Sequence, residues 1–234
     1  MTTKGAQLSR ITFLTATPVV AAALPPEFDR LPHLRTAIGT RHGRYRHVSF
    51  FPYPRFTHPS ELEYLRPLGT IAGADGAAVE LYEQREPPPV RMAVWGLEDG
   101  FVTMAFNPWE RDDVERTVER VAIAIGENRY PRLRLSGSFR PQDQRAPASR
   151  DIAMFCADGA HGVLENLTFS NLGRSRRDAD TGSHPDMEMV VHYERNVKVE
   201  WTAPKAAAGS SARAARGDDL AARFRALVAS LTLQ

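Results

Sequence analysis

One short string occurs twice and narrows what this chain can fold into. Ala74-Asp75-Gly76-Ala77 and Ala157-Asp158-Gly159-Ala160 both adjoin stretches rich in β-branched and aromatic residues. Glycine takes a positive φ at no steric cost, and aspartate bonds its own backbone, so an Asp-Gly pair there marks a tight turn. Each string therefore predicts a β-hairpin. The first has Ile71-Ala72 and Val79-Glu80-Leu81-Tyr82 as its arms. A second hairpin follows, with arms 90–95 and 101–106 and a turn at Glu98-Asp99-Gly100.

A helix is expected next. Asn107 is a capping residue, Pro108 suits the first helical position, and Glu110 suits a capping box. Val114, Val118, Val121, Ala122 and Ile125 fall at helical spacing, and Gly126 reads as the stop.

The same order recurs after the second string. A strand leads through Phe169. Arms at 187–192 and 197–201 then flank a turn at Glu194-Arg195-Asn196. The chain ends in a helix with Asp218 near its start and Leu220, Phe224, Leu227, Val228 and Leu231 on one face. The pattern predicts an α+β fold: antiparallel sheets from two hairpin–hairpin–helix units, a possible internal duplication, each covered by one helix. Trp95 and Trp201 sit in opposite hairpin arms, which a strict duplication does not predict.

Three segments follow from this reading. Residues 1–69 form an N-terminal strand and loop segment packing on the core. Residues 70–150 form the first unit plus a connecting strand, and residues 151–234 form the second. Within the first segment, strands are expected at 10–16 and 44–51, and a short helix from Pro59 to Leu65. Residues 17–43 show no clear pattern, because Pro25, Pro26 and Pro32 break any long helix.

The chain has 234 residues, 42% of them hydrophobic, enough to bury a core without disulfide staples. Cys156 is its one cysteine, so no internal disulfide forms, which fits a reducing compartment and a cytoplasmic location. The net charge of +2 provides no global basic field and counts against nucleic acid as a partner. All but Lys4, Lys198 and Lys205 of the 30 basic residues are arginine, a bias expected of GC-rich bacterial coding. No apolar run approaches the roughly 20 residues of a membrane span. Thr15, Thr17 and Pro18 interrupt the N-terminal apolar run, which reads as a strand rather than a cleaved signal.

The candidates for chemistry are few. Arg44 and Arg46 would share one face of a strand and, with His47, could hold a phosphate or carboxylate. Aromatic residues Tyr45, Phe50, Phe51, Tyr53 and Phe56 interleave or follow. An edge strand with a solvated arginine face explains the same residues. His42, His47 and His58 lack metal-ligand spacing. Cys156, Asp158 and His161 crowd one turn, whereas a nucleophile usually draws its base from a distant segment. No nucleotide-binding, hydrolase or zinc motif is present, so no cofactor and no metal are expected.

Two functions stay in view. The first is a non-enzymatic binding or adaptor protein, acting through protein contacts or self-association at exposed sheet edges. The second is a small-molecule enzyme or ligand-binding protein with a pocket between sheet and helices. In it Arg44, Arg46, His47, His161 and His192 would serve an anionic ligand.

Overall fold

Apolar residues alternate with polar ones at a period of two through much of the chain, and these segments fold as strands. The computed structural model describes residues 8–15, 19–28, 30–39, 45–53, 64–85, 90–106, 113–126, 128–137, 140–141, 151–158, 164–172, 186–205 and 212–234. In chain order the strands are β1 (Ser9–Thr12), β2 (Val19–Ala22), β3 (His33–Gly39), β4 (Tyr45–Phe51), β5 (Leu65–Ala72), β6 (Ala78–Gln84), β7 (Arg91–Leu97) and β8 (Gly100–Phe106). Then come β9 (Val121–Ile125), β10 (Pro131–Leu135), β11 (Arg140–Pro141), β12 (Asp151–Asp158), β13 (Leu164–Asn171), β14 (Met187–Glu194), β15 (Val197–Pro204) and β16 (Thr232–Leu233). Two α-helices stand among the described residues: α1 (Asp113–Val118) and α2 (Ala212–Ala229).

One large antiparallel sheet dominates. Its order is β14-β15-β13-β12-β3-β4-β8-β7-β6-β5, with β11 added against β3. The expected α+β arrangement of two helix-covered sheets is therefore corrected: the fold is mostly antiparallel β, built on one continuous sheet. Nor do the two halves match as a duplication. β5 to β8 pair in sequence as a meander, but in the second half β13 pairs β15 and leaves β14 outside it. The β3–β4 hairpin joins the halves, with β12 on one side and β8 on the other.

The expected helix through Ile125 is also corrected. Helix α1 ends at Val118, and Val121–Ile125 is strand β9, paired with β10 from Ile125↔Pro131 to Val121↔Leu135. Val121, Ile123 and Ile125 fit a period of two as well as the helical spacing fits Val118, Val121 and Ile125. Their β-branched side chains, with Leu133 and Leu135 opposite, favour the strand. Gly126 does not take the positive φ a helix stop requires, and instead opens the β9–β10 turn. The expected start of that helix at 107–110 and residues 59–63 of the short helix expected from Pro59 to Leu65 lie outside the described residues, while Leu65 opens strand β5 rather than ending a helix.

One face of the large sheet is the core side. Leu34, Val48, Phe50, Val102, Met104, Phe155, Phe169 and Trp201 all lie there, each less than 4% exposed. A second layer covers them: the three-stranded sheet β1-β2-β16, the β9–β10 hairpin and both helices share the same hydrophobic cluster. The amide of Leu133 donates to the Leu14 carbonyl (2.8 Å) and that of Gln234 to Val19 (3.0 Å), tying this layer to itself.

Asp151 pins the two layers together. It is 1% exposed, and a buried carboxylate is tolerated only when its oxygens are hydrogen-bonded. The Thr15 hydroxyl donates from the second layer, the Thr36 hydroxyl from β3 and the Asn171 amide (3.4 Å) from β13. Asn196 in the β14–β15 turn then donates to the Asn171 carbonyl oxygen (3.2 Å). Asp151→Ala leaves two hydroxyls and an amide without their acceptor. It is expected to lower unfolding free energy by about 3 kcal/mol, read as an earlier urea midpoint. A loss below about 0.5 kcal/mol, the range of ordinary surface changes, would remove Asp151 from this role.

Candidate functional site

Prolines shape one wall of a cleft between the layers. Pro26 opens a 3-10 turn, Pro26–Phe28, closed by the Phe28 amide on the Pro25 carbonyl (2.9 Å). The turn drives Phe28 into the core, edge-on to Trp201 at 5.3 Å, and leaves Leu24 and Leu31 half-buried on either side. Phe155 of β12 and Tyr130 after the β9–β10 turn complete an apolar floor.

Arginines form the rim. Arg10 comes from β1, Arg30 from the segment after the 3-10 turn, and Arg129 from the β9–β10 turn. Arg129 sits at φ 62°, in the left-handed region that costs a non-glycine residue energy. Its Nε donates to Asp99 Oδ2 (2.7 Å) and its Nη2 to Asp99 Oδ1, a forked pair with the β7–β8 turn. That hydrogen bond, then the Asp99 charge, holds the guanidinium above its already high pKa. Asn128 donates to the Arg10 carbonyl (3.0 Å), joining rim to rim. Arg30 is exposed and makes no ion pair among the described residues. The cleft encloses about 630 Å³ and opens to solvent.

The residues expected from sequence lie elsewhere. Arg44 and His161 fall outside the described residues. Arg46 pairs in register with Ile38 on the core side; it is 2% exposed, with its guanidinium 5.5 Å from the Phe106 ring centroid. His47 is on the opposite face, so the two do not converge on one ligand. His192 lies on β14, five strands from β4, roughly 24 Å away at ~4.8 Å per strand. It sits 3.8 Å from Glu194. Cys156 faces away from the core, and burial raises its pKa, so it is poorly suited to act as a thiolate. Among the described residues, no group of three His, Cys, Asp or Glu side chains could hold a metal ion.

A second cluster lies at the centre of the outer face. His33 stacks on Phe51 (4.5 Å) and Phe51 on Phe101 (5.0 Å), while Tyr53 meets both rings edge-on. Arg35 lies beside His47, its Nη2 3.4 Å from Nδ1, which suits a neutral ring accepting there. Burial first, and Arg35 second, lower the pKa of both His33 and His47.

Three arginines from positions 10, 30 and 129 carry no common spacing, which is why the rim escapes a reading of the sequence. The signal closest to it is the Gly126-to-Tyr130 turn, hidden there by the helical reading.

The histidines predict a pH dependence of stability. Both are held neutral in the folded state, while the unfolded chain protonates them near pH 6.5. Their stabilising contribution is complete above that pH and is lost as pH falls through the lower folded values. Denaturant midpoints should therefore drop from pH 7.5 to pH 5, and His33→Phe with His47→Gln should flatten the drop. An equal drop in that variant would assign the dependence to other groups.

No protein-family model matches the chain, and neither the curated proteins nor the solved structures hold a significant match to it.

Proposed function

We propose that the protein binds a small amphiphilic anion in the cleft between its two layers, with a carboxylate or phosphate head at the arginine rim. Of the two functions expected from the sequence, ligand binding draws support from the cleft. Support for protein contact comes from a different place, the sheet edge at β14.

The observation that carries the reading is the arrangement of charge over an apolar floor. Arg129 is neutralised by Asp99, whereas Arg30 meets no carboxylate among the described residues and Arg10 stands beside the same opening. The floor of Phe28, Tyr130 and Phe155 and the walls of Leu24 and Leu31 offer no second polar anchor except the Tyr130 phenol, whose burial keeps it protonated. An anionic head at the mouth gains charge-assisted hydrogen bonds, and an apolar tail gains about 0.8 kcal/mol per buried methylene. The volume of about 630 Å³ falls in the range of small-molecule sites.

Titration calorimetry with decanoate and with decanol tests this. Decanoate should bind and decanol should bind about tenfold or more weakly, since a hydrogen bond to a charged group contributes about 1.5–3 kcal/mol. Arg30→Ala should weaken decanoate by a similar factor and leave decanol unchanged. Leu31→Asp should abolish both. No decanoate binding, or binding indifferent to Arg30 and Leu31, sinks the reading.

A further inference from the structure

Two consecutive residues of the β9–β10 turn line the cleft in different ways. Arg129 brings its guanidinium to the mouth and spends it on Asp99. Tyr130 lines the same cleft but is only 7% exposed. Its backbone is held from two sides. The Gly126 amide donates to the Tyr130 carbonyl (2.8 Å), and Pro131 restricts the residue before it to extended conformations. From that fixed backbone the ring reaches the floor that Phe28 and Phe155 share.

The Tyr130 hydroxyl makes no hydrogen bond among the described residues. It is not one of the sealed polar atoms of the core either. The little surface that Tyr130 keeps therefore includes its oxygen, and the cleft is what that oxygen meets. Neighbouring polar groups are already engaged: Asp99 accepts from Arg129, and the Asn128 amide donates to the Arg10 carbonyl. A phenol buried this far without an acceptor is costly, and nearly all such groups in folded proteins have one. Burial also raises its pKa, so near neutral pH it offers a proton and carries no charge.

We infer that the ligand of this cleft carries an acceptor oxygen along its chain, and that the Tyr130 hydroxyl donates to it. This rests on the amphiphile reading of the cleft and narrows it from plain alkanoates to oxygenated ones, such as oxo or hydroxy acids. The anionic head takes the arginine rim, the chain oxygen takes the phenol, and the remaining methylenes take the apolar floor. A plain chain covers the phenol with methylenes and leaves its donor unpaired. An oxygen at the right carbon regains in the new bond what it loses on leaving water. At any other carbon the oxygen and the phenol both stay unpaired. The preference is therefore positional. A ketone is the sharpest probe, because it accepts a hydrogen bond and cannot donate one.

Titration calorimetry with decanoate and with a series of oxodecanoates, the carbonyl moved one carbon at a time, tests this. One isomer, or two adjacent ones, should bind about fivefold more tightly than decanoate, the gain of one ordinary hydrogen bond, and the rest no more tightly. Tyr130→Phe keeps the ring and removes the hydroxyl. It should bring the favoured isomer down to no better than decanoate on the same variant. Its urea midpoint should match the wild type, because the hydroxyl holds nothing within the protein. A lower midpoint, with every ligand weakened by the same factor, would make the phenol a structural group and overturn the inference. So would a series in which no isomer exceeds decanoate, or a gain that survives Tyr130→Phe. If decanoate binds and depends on Arg30 in those cases, the cleft reading stands and only this inference falls. If neither decanoate nor any oxodecanoate binds the wild type, both fall together.

Discussion

The Asp151 carboxylate sits where four distant parts of the chain meet, and the two-layer arrangement depends on it. Thr15 reaches it across 136 residues and Thr36 across 115. Each donor belongs to a different element, so the carboxylate is satisfied only when the second layer, β3 and β13 are all in place. Apolar packing alone would tolerate a sliding second layer, because burial has no direction. A buried charge does not tolerate it, since a missing donor costs more than the bond itself contributes. Asp151 therefore makes one docking of the layers far better than its neighbours.

The β3–β4 hairpin provides the other long-range constraint. It lies at the middle of the sheet, so β12 and β8, more than forty residues apart in sequence, become near neighbours only through it. Its core side carries Leu34, Val48 and Phe50; its outer side carries the His33, Phe51 and Tyr53 cluster that reaches Phe101. Gly100 shows how tight this join is. At φ 152° its Cα lies against the Phe51 carbonyl, where any Cβ would clash. The Asp-Gly pair at 99–100 thus serves both the β7–β8 turn and the approach of β4.

Those two constraints create the proposed cleft. Phe28 and Phe155 line its floor while remaining packed in the core, 0% and 2% exposed. The turns that surround it are the β7–β8 turn with Asp99 and the β9–β10 turn with Arg129. Their forked ion pair joins one layer to the other at the mouth. A ligand site at the seam of two layers is a common outcome of packing that cannot close at its rim.

Much of the strand content was legible in the sequence because period-two alternation and Asp-Gly turns act locally. The hairpins at 71–82, 90–106 and 187–201 stand close to where their side chains place them, and the terminal helix forms but runs from Ala212 to Ala229, starting before the expected cap at Asp218 and stopping short of Leu231. The strand Val121–Ile125 was not legible as such, since five residues fit both periods and only pairing with β10 decides between them. Strand order was not legible either. Two similar hairpins suggested two similar units, but β13 prefers β15 to β14, a choice made by burial of Phe169 against Val199 and Trp201 rather than by any local signal. The same holds for the site. Arg44 and Arg46 drew notice as residues of one strand face with His47 beside them, yet that face turns Arg46 into the core and leaves His47 on the other side. Arg10, Arg30 and Arg129 line one opening because strand β1, the segment after the 3-10 turn and the β9–β10 turn meet at one seam. Local stereochemistry determined the elements; the burial of one shared core determined which of them touch.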